Sequence, residues 1–61
     1  MKTSELIKML AKDDWFKTRQ NGSHAIYKHN YKKGFLIVPV HPGKEIAKGT
    51  LESILKKAGL R

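Results

Sequence analysis

No cysteine occurs among the 61 residues, so disulfides and thiolate metal sites are excluded together. A domain this short buries only about 60% of the surface its unfolded chain exposes. With no cross-link available, a partner chain is the first candidate for outside stabilisation. Linkers and internal repeats are also missing, and two prolines and five glycines are too few and too scattered to mark a boundary. One domain spanning residues 1–61 with one core is expected. There is no long uncharged run either. The opening stretch MKTSELIKMLAKDD meets a Lys, Glu or Asp every few residues, which fits neither a signal peptide nor a membrane span, and a cytoplasmic protein is expected. Carboxylates are scarce: 5 Asp and Glu stand against 13 Lys and Arg, a formal charge of +8. A surplus of that size in so short a chain points to a polyanionic partner, whether RNA, DNA, acidic lipid or an acidic protein.

From Thr3 to Asp13, Leu6, Ile7, Leu10 and Ala11 recur at helical spacing while Lys8 and Lys12 mark the other face. Thr3 or Ser4 is suited to cap this helix, Glu5 to its positive end, and Asp14 to the left-handed exit that glycine usually supplies. Trp15–Gln20 and Ser23–Lys28 read as strands around Asn21-Gly22, a strong type I′ hairpin signal. With those two residues as the loop, Gln20 pairs with Ser23, Arg19 with His24, Lys17 with Ile26 and Trp15 with Lys28. One sheet face then carries Trp15, Lys17, Arg19, His24, Ile26 and Lys28, and a buried face carries Phe16, Thr18, Ala25 and Tyr27. FLIVPV reads as a third strand that Pro39 confines to an edge, with apolar residues on both of its faces. Leu51, Ile54, Leu55 and Ala58 form the stripe of a second helix, with Thr50 as its cap and Gly59 just past its end. The expected architecture is a two-layer α+β domain in the order α-β-β-β-α, a three-stranded antiparallel meander with both helices on one face.

Three histidines are candidates for chemistry. His29 and His41, at strand ends beside Asn30 and Pro42, read as ordinary exposed polar residues. Their spacing with His24 offers no short metal-ligand pattern, and no carboxylate cluster accompanies them. Lys32 and Lys33 read as a solvated loop. His24 stands apart because the expected register surrounds it with Lys17, Arg19 and Lys28. RNA carries its own nucleophile, the 2′-hydroxyl, so cleavage needs a base, an acid and positive charge for the phosphorane. One histidine and a few cations supply most of that set, although spacing alone leaves open whether His24 moves a proton or is one more RNA contact.

The segments GSHAIYKH, VPVHP and KGTLESILKKAGL, preceded by TSELIKMLAKDDW and the RQNGSH turn, resemble the HicA toxins, the ribonuclease partners of HicA/HicB toxin–antitoxin pairs. The likeness covers nearly the whole chain. It implies a fold like the double-stranded-RNA-binding domain and cleavage of mRNA without a cofactor. It further implies that His24 is the histidine on which activity depends. Lys17, Arg19, Gly22, Ser23 and Lys28, on the basic face and at its turn, are expected as RNA contacts. A HicB-like antitoxin is the implied protein partner, and the net charge, the small core and the two-sided apolar strand Phe35 to Val40 lead us to expect it over the His24 face. Asp14 departs from the glycine common in relatives before the aromatic residue. The competing expectations are a non-catalytic RNA-binding module of the same fold and a basic adaptor for an acidic protein.

Overall fold

The computed structural model describes all 61 residues. The elements run α1 (Thr3–Lys12), β1 (Trp15–Asn21), β2 (His24–His29), β3 (Phe35–Pro39) and α2 (Lys48–Lys57). The strands form one antiparallel sheet in the order β1-β2-β3, the α-β-β-β-α arrangement expected. Leu6 and Leu10 of α1 and Ile54, Leu55 and Ala58 of the α2 end share one core with Trp15, Ala25, Tyr27, Leu36, Val38 and Ile46. Both helices therefore lie against the same side of the sheet, and the other side is open. No helix is long and apolar enough to cross a membrane.

The helix ends are held differently from the expected caps. Lys2, not Thr3 or Ser4, is the N-cap of α1, and Thr3 is buried as its first residue. The Glu5 carboxylate accepts the Lys2 backbone N–H at 3.0 Å, so the acidic residue at the positive end also satisfies an unpaired donor. Asp14 does take the left-handed exit, at φ 70°. Helix α2 begins before Thr50, with Ala47 as N-cap. At its other end Gly59, at φ 75°, completes a Schellman motif in which Leu60 N–H donates to Leu55 O and Gly59 N–H to Lys56 O.

The hairpin turns one residue later than the Asn-Gly signal suggests. Asn21 pairs with His24, leaving Gly22-Ser23 as the loop, and only Gly22 has positive φ (61°), the requirement of a type II′ turn. Near the turn this moves the pairing by two positions, so Arg19 meets Ile26 rather than His24 but keeps its face. Between Lys17 and Arg19 the register shifts again, at a β-bulge around Thr18, whose hydroxyl donates to Ile26 O at 3.1 Å. Past the bulge parity is reversed. Trp15 pairs with His29 and is buried in the core, Lys17 pairs with Tyr27 on the helix side, and Phe16 pairs with Lys28 on the open side, each opposite to expectation.

Strand β3 is an edge strand, as Pro39 requires. Val40 N–H donates to Ser23 O at 2.6 Å, and because successive N–H groups alternate in direction, Pro39, one residue back, stands where its missing N–H would point away from β2. Its burial alternates cleanly, with Leu36 and Val38 inward and Phe35 and Ile37 outward.

Candidate active site

The open face is read in rows across the three strands. Asn21, His24 and Pro39 form the row nearest the turn, then Arg19, Ile26 and Ile37, then Phe16, Lys28 and Phe35. A depression of about 510 Å³ is lined by Arg19, Gln20, Asn21, His24, Ile26 and Ile37. A neighbouring one of about 470 Å³ is lined by Thr18, Arg19, Ile26, Lys28 and Phe35. Arg19 and Ile26 line both, so the two make one shallow groove along the sheet, with His24 at the turn end and the phenylalanine row at the other.

His24 is solvent-exposed at the first position of β2. Its backbone is well anchored on both sides. Gln20 Nε2 donates to Gly22 O at 3.0 Å, and the half-buried Ser23 holds the end of β3 through its carbonyl. Gly22 is needed here for its backbone angle, since a side chain would meet nothing within 4 Å. Arg19 stands diagonally from His24, one row along, in the same depression.

No carboxylate lies in any of the three strands. The acidic residues that form ion pairs do so elsewhere, Glu45 with the Met1 amino group, Asp13 with Lys32 and Glu52 with Arg61. Arg19 and Lys28 are consequently free to meet an anion. Lys17 is not part of this constellation. Its ammonium donates to Gln20 Oε1 at 3.2 Å on the helix side of the edge strand.

Residues 3–60 match the family described as "HicA toxin of bacterial toxin-antitoxin". The chain belongs to the HicA toxin family. Its role is thereby that of the toxin in a bacterial toxin–antitoxin system, which implies an antitoxin partner. No curated protein matches the chain.

The other two histidines of this HicA toxin sit outside the groove. His41 is exposed in the turn after β3. His29, expected to be exposed, is buried. Its Nε2–H donates to Asp13 O at 2.5 Å, and its Nδ1 accepts the Tyr31 and Lys32 backbone N–H groups, each at 3.2 Å. The tautomer is assigned from these partners. Trp15 and Tyr31 pack against the ring edge to face, with centroids 5.0 and 4.4 Å away. Lys32 is likewise no solvated loop residue: its ammonium donates to Asp13 Oδ2 at 2.6 Å and to Ala58 O at 2.9 Å. Asp13 thus gathers the ends of α1, β2 and α2, and the hydrogen bond from Lys32 holds its carboxyl below the ordinary range, against an opposing desolvation effect.

Two residues of the open face escaped sequence reading, Phe16 and Phe35, and a third lies beside them. Lys57 of α2 places its ammonium 5.9 Å from the Phe35 ring centroid. The bulge hid Phe16 by reversing its face. Phe35 was visible only as one letter of an apolar run. No three His, Asp or Glu side chains come together as metal ligands.

Proposed function

We propose that this toxin is an endoribonuclease that cleaves mRNA in the cytoplasm without a metal ion, with His24 moving a proton at the scissile phosphate. The carrying observation is a single exposed histidine at the end of a groove whose cations have no carboxylate partner. In this reading the ribose 2′-hydroxyl attacks the adjacent phosphorus, forming a bond from O2′ to phosphorus and breaking the bond to O5′. Neutral His24 accepts the 2′-hydroxyl proton, and a proton delivered to O5′ releases the new end as a hydroxyl. Arg19 and Lys28 offset the added charge on the phosphorane and hold the strand in register. Gly22 and Ser23 shape the turn that aims His24, and Gly22 leaves room for a backbone to approach. Lys17 contributes at most long-range charge, given where it lies.

The antitoxin fits the same face. A HicB-like partner bearing carboxylates would meet Arg19 and Lys28 and inhibit by excluding RNA. Hydrogen exchange in the complex is expected to protect the open-face strands, and protection confined to the helices counts against this arrangement.

Cleavage of RNA in the presence of a chelator tests the reading. Cutting should persist, and a 2′-deoxy substitution at the cleaved position should abolish it. A mobility shift with no cleavage would favour the non-catalytic RNA-binding module, and neither shift nor cleavage the protein adaptor. With two or three phosphate contacts on a single strand, log K should fall with log salt at a slope of about −1.4 to −2.1, steeper by about 0.7 if Lys17 also took part.

A further inference from the structure

We propose that Phe16 and Phe35 are base-stacking platforms, so that the groove takes single-stranded RNA with unpaired bases, an inference that rests on the ribonuclease reading of His24 and names its substrate class. The chain has only two phenylalanines, and both lie on the outside, 45% and 47% exposed. Aromatic residues of a small domain are its largest contribution to a core, and Trp15 and Tyr27 are used that way here. Phe16 reaches solvent because the bulge turns it there.

The two rings flank Lys28 in one row, roughly 10 Å apart at two strand spacings. Lys57 stands beside Phe35, and Arg19 and Lys28 line the groove between this row and His24. Flat apolar surfaces alternating with unpaired cations match a nucleotide chain, in which flat bases alternate with phosphates. Along β2 the row lies four residues from His24, about 13 Å at strand rise. A short stretch of RNA whose cleaved phosphate sits at His24 can lay neighbouring bases on the phenylalanines. A duplex cannot, because its bases are stacked on one another and its readable groove is shallow.

The test uses the full chain carrying His24→Ala, so that RNA stays uncut, titrated in chelator with a fluorescent oligouridylate and with a blunt duplex RNA. Phe16→Ala and Phe35→Ala should each weaken binding of the single strand by about 5- to 150-fold, the range for losing one stacked base. Phe→Tyr should restore affinity while Phe→Leu should not, since a π-face and not mere apolar area is required. Duplex binding should be weaker and indifferent to all six substitutions. Leucine variants that bind the single strand as tightly as the phenylalanine parent would overturn the proposal and assign the pair to a protein contact. Failure of the chain with His24 intact to bind or cut any RNA would sink the ribonuclease reading as well. Cleavage by the chain with His24 intact, with RNA affinity unmoved by either alanine substitution in the His24→Ala chain, would sink the stacking alone. Both positions are exposed, so circular dichroism should report a native fold in every variant.

Discussion

The two ends of β2 carry the same side chain in opposite circumstances. His24 opens the strand and His29 closes it, five residues apart, and an odd separation on a period of two sends them to opposite faces. His29 has every ring nitrogen engaged, two aromatic neighbours and a side chain with no solvent exposure. His24 lies in an open groove and is tied to the fold only through its backbone. A ring already committed to three hydrogen bonds is a structural strut. A ring left free beside unpaired cations can exchange a proton with a substrate. Identical side chains are thus divided between one that holds the fold and one left free for the proton transfer proposed above.

That division is open to direct attack. His24→Ala should produce the largest effect and confine it to activity, a loss of roughly 10²- to 10⁴-fold in cleavage rate. Its urea midpoint should move by no more than about 0.5 kcal/mol of stability. An alanine variant that is folded, binds RNA and cuts at the parental rate makes His24 a bystander. His29→Ala should reverse the pattern. It strands Asp13 O and two backbone N–H groups and opens a cavity, costing about 2–4 kcal/mol. Set against a total of roughly 3–9 kcal/mol for a domain of this length, that should leave a partly unfolded population, measurable by thermal melting. Equal stability of parent and His29→Ala would erase the contrast.

Smaller effects sharpen the same comparison at the His29 end. Because Lys32 depresses the Asp13 carboxyl, the folded state binds this proton less readily than the unfolded chain does. The resulting stability is present above the ordinary carboxylate range and is lost as pH falls through the depressed value. Lys32→Met should therefore flatten the acid side of a plot of urea midpoint against pH, and an unchanged slope would show the pair to be idle. The smallest change concerns Asp14, which holds a left-handed conformation that glycine adopts without strain. Asp14→Gly should stabilise by about 0.5–1 kcal/mol, offset in part by the freer unfolded chain. A lower melting temperature in that variant would mean the aspartate has a compensating contact.

Helical spacing in Leu6 to Leu10 and Leu51 to Ala58, the turn residues at 21–23 and the proline at 39 are local signals, and they were enough to order the five elements. Pairing register was another matter. Asn21-Gly22 and Gly22-Ser23 both satisfy a two-residue hairpin, and only the fit of the sheet to its core selects the second. Nothing in the letters Lys-Thr-Arg announces a bulge at Thr18. Its cause is tertiary, since it allows Trp15 to enter the core while Arg19 stays on the open face. The roles of His29 and Lys32 depend on partners 16 to 26 residues away, at Asp13 and Ala58, and no short window contains both ends of such a contact. His24, Arg19 and Lys28 were legible as a group because they lie on the turn side of the bulge or on the unbroken strand. Lys17 was misplaced because it lies on the far side.

The extra residue in β1 works like a shift of reading frame. Upstream of Thr18 every side chain is assigned to a face by one phase, and downstream by the other. Deleting Thr18 alone while holding the turn in place would move three residues into the other phase at once. Trp15 would be drawn out of the core, Phe16 pushed into it, and Lys17 swung round to join Arg19 and Lys28. A single deleted codon would thereby trade an aromatic surface for a more basic one, at the expense of the core that carries it.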